Sequence, residues 1–335
     1  MPKIYKWMSG LKDDRKLIDL CLPGSHDAGV YEDKDRGVKT PGSKTRCQYK
    51  NIYEQARDGS RVFDIRCWLK DGKPTMGHFF QDTPTAVSGD WGGTLESALD
   101  DAVKFLDLYV PSEGPSEFLI FRIGHTQCTK EVIEVLKTID PTGGKTTDPT
   151  SGKLKYANFI LKGKQGNLAN LQVKDLRGKL LLIFGEEFHE NFNVLDGYYP
   201  YVKYPNIPQN GLSFCGTYSG GATTAASFLK EDRGNWTKKG AVKVALAASE
   251  QHKNHKPPDD HLFWVYWQQT GGDVEANTTT ETGCMHSRLE EFLSKFRTNK
   301  LRLPNVIGHD FVKYSTCSKI VKMNSDLAAT LEPEF

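Results

Sequence analysis

The 335-residue chain is predicted to be an α/β protein folded as one distorted, parallel (β/α)8-type barrel with irregular surface loops. Three observations carry that expectation. Eight short β-rich runs alternate with amphipathic stretches along the length. Several of those runs, Leu180-Leu181-Leu182-Ile183-Phe184 most clearly, are continuously apolar, as strands buried on both faces require. Neither a repeat nor a linker divides the chain, so residues 1–335 are expected to form one catalytic barrel, a size this architecture accommodates.

In chain order the predicted strands are Leu17–Leu22, Arg61–Leu69, Thr75–Phe79, Phe118–Ile123, Lys179–Phe184, Gly211–Cys215, His261–Trp267 and Asn305–His309. Between them lie the predicted helices. In Thr94–Tyr109, Leu95, Ala98, Leu99, Ala102, Val103 and Leu106 recur at i, i+3, i+4 spacing and make one apolar face. Glu131–Thr138, Thr237–Glu250 and Arg288–Thr298 read the same way. Long surface loops are expected at about 140–160, 193–209 and 250–260, where Gly, Pro and charged residues cluster. The middle loop also carries Tyr198, Tyr199, Tyr201 and Tyr204 among its prolines.

Composition narrows the class. Hydrophobic residues make up 38% of the chain and 17 Phe, 13 Tyr and 6 Trp supply a full core, which excludes wholesale disorder. A net charge of +2 excludes a globally basic nucleic-acid binder. No window approaches the roughly 18 apolar residues of a membrane span. The first 16 residues are polar and charged, without the apolar core of a signal peptide, so a soluble chain is expected, secreted or cytoplasmic. Seven scattered cysteines without a C-x-x-C pair argue against a disulfide scaffold and against a structural zinc site.

In a parallel barrel the chemistry collects where strands end. Here the strand ends carry Ser25-His26-Asp27, Asp64-x-Arg66, Gly77-His78 and His309-Asp310. Each alone has a structural explanation: a lone histidine is more often a packed polar group, and Asp-x-Arg is usually an ion pair. Together they supply two imidazoles with carboxylate partners for general base and general acid, and a fixed guanidinium for an anionic transition state. Base, acid and phosphate-binding cation imply phosphoryl transfer without a metal.

These residues also carry a resemblance. The run from Leu17 through Pro23-Gly24-Ser25-His26-Asp27-Ala28-Gly29, then Gly59-Ser60-Arg61-Val62-Phe63-Asp64-Ile65-Arg66, then Gly77-His78, resembles the X region of phosphatidylinositol-specific phospholipase C. Pro115–Ile120, Trp264-Val265-Tyr266 and Val306-Ile307-Gly308-His309-Asp310 continue the likeness. It implies a distorted TIM barrel and a lipid phosphodiesterase that makes diacylglycerol and inositol 1,2-cyclic phosphate by attack of the inositol 2-hydroxyl. By the same resemblance His26 is the base held by Asp310, and His78 the acid supported by Asp27. Arg66 binds the phosphate and Asp64 orients it.

Eukaryotic relatives hold Ca²⁺ at the positions of Asp27, Asp64, Arg66 and a residue near Gly124. The arginine therefore points to the metal-independent bacterial type, with Arg66 in place of the ion and no cofactor. The bacterial residues that contact the inositol hydroxyls are not matched. His125, Glu186 and Glu187 are replacements for them or rim residues, and Tyr218 is placed to stack on the sugar ring. Tyr198, Tyr199, Tyr201 and Trp91 are expected to face the membrane, in a monomer that touches it peripherally. Two alternatives stand beside this reading. A metal-dependent glycerophosphodiesterase or sphingomyelinase D-like enzyme would need an acidic Glu-x-Asp where Asp64-x-Arg66 stands. A non-catalytic lipid-binding protein on the same fold would be marked by loss of a histidine, and both are present.

Overall fold

The fold is taken from a computed structural model. It describes residues 3–31, 46–79, 89–108, 114–137, 158–203, 210–216, 262–267 and 303–325, with single positions between 286 and 294. The strands are β1 (Leu22–Ser25), β2 (Val62–Ile65), β3 (Cys67–Lys70), β4 (Lys73–Phe79), β5 (Gly89–Thr94) and β6 (Leu119–Ile123). They continue with β7 (Leu180–Phe184), β8 (Tyr198–Lys203), β9 (Leu212–Gly216), β10 (Leu262–Trp267) and β11 (Val306–His309). The helices are α1 (Ile52–Arg57), α2 (Leu95–Leu108), α3 (Thr129–Lys137), α4 (Val173–Leu176) and α5 (Tyr314–Val321).

Eight of these strands close a barrel in the order β1-β11-β10-β9-β8-β7-β6-β2, and the paired neighbours run parallel. The remaining three, β3-β4-β5, form a separate antiparallel sheet. The expected number of barrel strands is therefore right, but its membership is not. Thr75–Phe79 lies in the small sheet, and the predicted strand Arg61–Leu69 is two strands. The chain leaves the barrel at Arg66, whose carbonyl accepts from the Gly77 amide at 3.2 Å. Leu17–Asp19 is a 3₁₀ turn, and the first barrel strand begins only at Leu22.

The eighth barrel strand is Tyr198–Lys203, inside the stretch expected to be a loop. Prolines at 200, 205 and 208 signal a loop, yet only Pro200 falls within the strand, opposite Phe184. Tyr199 and Tyr201 point into the barrel core, while Tyr198 packs outward on Phe184, with ring centroids 5.5 Å apart. The three tyrosines expected at a membrane are thus buried, at 8%, 0% and 6% exposure for Tyr198, Tyr199 and Tyr201. Alternation along a barrel strand puts each against one of its two apolar sides, so none faces a bilayer.

Alternation also sorts the rest of the core. Val62, Ile120, Leu181, Ile183, Leu262, Trp264 and Val306 fill the interior, whereas Phe63, Ile65, Phe121, Leu182 and Phe184 pack outward on α1, α2 and α3. The continuous apolar run of β7 is buried on both faces for this reason. A third cluster joins Phe263, Val265 and Ile307 to Leu289, Leu293 and α5. The amphipathic pattern over 94–109 corresponds to α2, and that over 131–138 to α3. The helix expected at 237–250 and the loop expected at 250–260 lie outside the described residues, as does the loop expected at 140–160 up to residue 157. Among the described residues, no helix is long and apolar enough to cross a membrane. Cys21, Cys47, Cys67, Cys128 and Cys317 are buried.

Candidate active site

Four strand ends deliver the charged groups. The β1 end carries His26 and Asp27, and the β11 end His309 and Asp310. The β2 end holds Asp64 with Arg66 two residues on, so both side chains meet on one side. His78 arrives from outside the barrel on β4. Close packing brings the small sheet to the site: a Cβ on Gly92 of β5 would sit 1.7 Å from the Gly29 carbonyl oxygen, so only glycine fits there.

His26 Nδ1 lies 2.8 Å from Asp310 Oδ1, and its Nε2 lies 3.2 Å from Asp27 Oδ2. His78 Nδ1 is 3.4 Å from that same Asp27 oxygen, and the two imidazoles are 6.0 Å apart between centroids. Arg66 bridges the acids: its Nε is 2.9 Å from Asp27 Oδ1 and its Nη2 2.7 Å from Asp64 Oδ2. Asp27 adopts a left-handed backbone, φ +40°, which a non-glycine residue enters at a cost. Phe311 and His125, beside Asp310 and Gly124, are left-handed as well. Strain of this kind gathers around the site.

Other residues complete the site that sequence reasoning did not single out. Arg122 of β6 pairs with Asp64 Oδ1 and donates to Tyr201 Oη at 2.7 Å. Tyr266 of β10 donates to Asp64 Oδ2 at 3.4 Å and stacks edge-on with His26 at 5.6 Å. Gln48 donates from Nε2 to the carbonyls of His26 (2.9 Å) and His309 (3.3 Å) and accepts from the Val312 amide, pinning two strand ends together. Cys47 Sγ stands 3.1 Å from His78 Nδ1 and 3.8 Å from Asp27 Oδ2. Arg122 had a signal, a lone cation in the apolar run Leu119-Ile120-Phe121-Arg122-Ile123. Nothing local marks Gln48 or Cys47.

Electrostatics separates the two histidines. Burial opposes charge on His26, but Asp27 and Asp310 more than offset it, so its pKa lies above the ordinary 6.5. Burial dominates at His78, helped by the His26 and Arg66 charges, and its pKa lies below that value. Burial opposes charge on Asp27 and Asp64, but Arg66 acting together with the neighbouring histidines, and with Arg122 at Asp64, more than offsets it and holds both carboxyls below the ordinary 3.8. In the resting site the proton of the histidine pair therefore sits on His26.

The residues suggested for headgroup recognition divide. His125 is exposed at the mouth, where partial burial and the Arg66 and Arg122 cations push its pKa down to about 4. Glu187 is tied down, its Oε1 accepting from the Thr126 amide at 3.0 Å, while Glu186 is exposed. Tyr218 lies outside the described residues. Trp91 is half-buried on β5, with its ring 4.8 Å from Phe79 and the Lys70 ammonium 5.4 Å from its centroid.

A Ca²⁺ ion takes six to eight oxygens, and among the described residues the matching positions offer two carboxylates. Its two candidate carboxylates, Asp27 and Asp64, already hold guanidinium groups, and Gly124 has no side chain. The geometry fits an internal cation instead.

The chain is similar to bacterial 1-phosphatidylinositol phosphodiesterases. It is 45% identical over 184 residues to the 1-phosphatidylinositol phosphodiesterase of Staphylococcus aureus, covering 52% of this chain and 49% of that protein. The match therefore spans about half the length of that relative. The enzyme of the same name from Listeria monocytogenes is 22% identical over 325 residues, covering 95% of this chain and 84% of the other. A solved structure of the Listeria monocytogenes phospholipase superposes with a TM-score of 0.56 at 18% identity, covering 96% and 98% of the two chains. A point variant of the Staphylococcus aureus enzyme gives 0.58 at 18% identity over 99% and 98%. These superpositions establish the fold. No family model matches the chain.

Proposed function

We propose that the protein is a metal-independent phospholipase C that cleaves phosphatidylinositol or a related inositol lipid to diacylglycerol and inositol 1,2-cyclic phosphate. One observation carries this reading: Arg66 lies between the carboxylates of Asp27 and Asp64, within reach of both imidazoles' shared partner Asp27, where it can bind a phosphate anion. The kinship with 1-phosphatidylinositol phosphodiesterases supports the substrate class.

His26, its Nδ1 engaged by Asp310, presents Nε2 as the base that takes the proton of the inositol 2-hydroxyl. The freed oxygen attacks phosphorus, and the phosphorus–oxygen bond to diacylglycerol breaks. His78 faces Asp27 and Cys47 through Nδ1, which leaves Nε2 to return a proton to the departing oxygen. Arg66 takes the charge that builds on the phosphoryl oxygens. The pair works with one shared proton. Cyclisation needs that proton on His78, whereas water opening the cyclic product starts with it on His26, the arrangement the resting site favours. Trp91 on β5, with the Lys70 ammonium of β3 over its ring, offers an aromatic and basic patch for shallow contact with a bilayer by a monomer.

The test is incubation with phosphatidylinositol vesicles in excess EDTA, following water-soluble phosphorus products by ³¹P NMR. A cyclic inositol phosphate is expected, and His26→Ala should lower its rate by about 10²–10⁴-fold. Turnover that needs added Ca²⁺ or Mg²⁺ would refute the role given to Arg66, and no inositol phosphate under any condition would refute the substrate class.

A further inference from the structure

His26 and Asp27 meet at the centre of the site: His26 Nδ1 lies 2.8 Å from Asp310 Oδ1 and its Nε2 3.2 Å from Asp27 Oδ2. A proton holds that short pair together in the resting site, and a metal cation can take its place. Around the same carboxylate oxygen stand two more metal-binding atoms, Cys47 Sγ at 3.8 Å and His78 Nδ1 at 3.4 Å, themselves 3.1 Å apart. Ligand atoms of His26, Asp27 and Cys47 all fall within 4.8 Å of one another, and all three residues are buried.

We propose that His26, Asp27 and Cys47, with His78 beside them, form an inhibitory site for zinc or a similar soft divalent ion. The inference rests on this geometry and not on the catalytic reading. Tetrahedral zinc, with bonds of about 2.0–2.3 Å to nitrogen, oxygen and sulfur, sets its ligand atoms about 3.3–3.6 Å apart. The two edges given above for these ligands, 3.2 Å from His26 to Asp27 and 3.8 Å from Cys47 to Asp27, bracket that spacing before any adjustment. Asp310 behind His26 supplies the carboxylate–histidine arrangement that orients a ligating imidazole. Arg66 does not block the position, because it holds the other Asp27 oxygen, Oδ1.

Metal softness decides which ions bind. A thiolate and an imidazole favour Zn²⁺, Cd²⁺ or Co²⁺ over Ca²⁺ and Mg²⁺. On binding, the Cys47 thiol gives its proton to solvent as the metal–sulfur bond forms, and His26 Nε2 gives up any proton it holds. The bound ion then occupies the nitrogen that would take the substrate proton. Zinc would thus switch the site off, and a chelator would restore it.

The full chain is titrated with Co²⁺ as a chromophoric stand-in, then with Zn²⁺. The expected result is a thiolate-to-cobalt charge-transfer band with the strong visible bands of tetrahedral Co²⁺, displaced by equimolar Zn²⁺ and absent in Cys47→Ser. X-ray absorption on the zinc-loaded wild type, which needs no variant to fold, should show one sulfur and at least one imidazole around the ion. A shell without sulfur, a charge-transfer band that survives in Cys47→Ser, or no binding of either ion would overturn the proposal. Inositol lipid cleavage should fall at least tenfold on zinc loading and return with EDTA. Uninhibited cleavage by zinc-saturated protein would overturn the inhibitory role, while a cobalt spectrum as described in a protein without cleavage would count against the proposed function alone.

Discussion

The two ends of one strand pair, β2 and β6, each bury an arginine–carboxylate cluster, and the clusters behave differently. Below the barrel, Arg61 just before β2 pairs with Glu117 just before β6. Its guanidinium also donates to the carbonyls of Ala56 (2.8 Å), Ser60 (2.7 Å) and Tyr5 (3.0 Å), and lies near the rings of Trp7 and Phe105. Nothing there is open to solvent, with side-chain exposures of 0% and 1%. Above the barrel, Arg122 and Asp64 are equally buried, but the cluster continues outward to Arg66, which keeps 20% of its side chain exposed. Saturation makes the lower pair structural. The upper one has a face left for an anion, and its partners are titratable.

That contrast is broken or upheld by a matched pair of variants. Glu117→Gln leaves the buried Arg61 charge uncompensated, so a loss of about 3–5 kcal/mol in denaturant unfolding is expected, with turnover per folded molecule retained. Arg66→Lys keeps a charge at the rim but not the fork that spans two carboxylates. Its expected signature is the reverse, a fall of about 10²–10³-fold in turnover with stability changed by under about 1 kcal/mol. Equal behaviour of the two variants would mean the clusters do the same work.

A smaller effect separates core from membrane face at Tyr201. Gly124 and Gly185 give its hydroxyl room, since a Cβ at either would approach within 2.2 and 3.0 Å. Tyr201→Phe removes the oxygen that accepts from Arg122, and about 1.5–3 kcal/mol of stability should go with it while vesicle binding is unchanged. Weakened vesicle binding at full stability would restore the expectation that this tyrosine meets the bilayer.

The smallest effect is in the pH profile. Cleavage needs the histidine pair singly protonated, so activity falls at acid pH as His78 takes a second proton and at alkaline pH as His26 loses its own. His78 lies below the ordinary value and His26 above it, so a plateau broader than for two unperturbed histidines should straddle 6.5. Asp310→Asn removes a carboxylate that supports the His26 charge, and should move the alkaline limb to lower pH. An alkaline limb that stays put would assign that ionisation to another group.

Much of the catalytic constellation could be read from the sequence because its members are local. His26 with Asp27 and Asp64 with Arg66 are neighbours at strand ends, and two-residue periodicity places the latter on one side of the sheet. Arg122 hid in an apolar strand, and Gln48 and Cys47 reach the site through a segment with no regular pattern. The tyrosines of 198–201 misled because prolines and aromatic crowding suit a loop as well as a strand closing a barrel.

By itself, then, the sequence determined the class of the fold, the alternation that fills a two-sided barrel, and the histidines, carboxylates and guanidinium of the candidate site. Those depend on local periodicity and on residue chemistry. Tertiary structure alone decided which runs join the barrel, since strand partners lie far apart in the chain, as β1 with β11 and β7 with β8. It also set the His26 and His78 pKa values apart, because burial and the charges gathered around Asp27 exist only once distant segments have packed together.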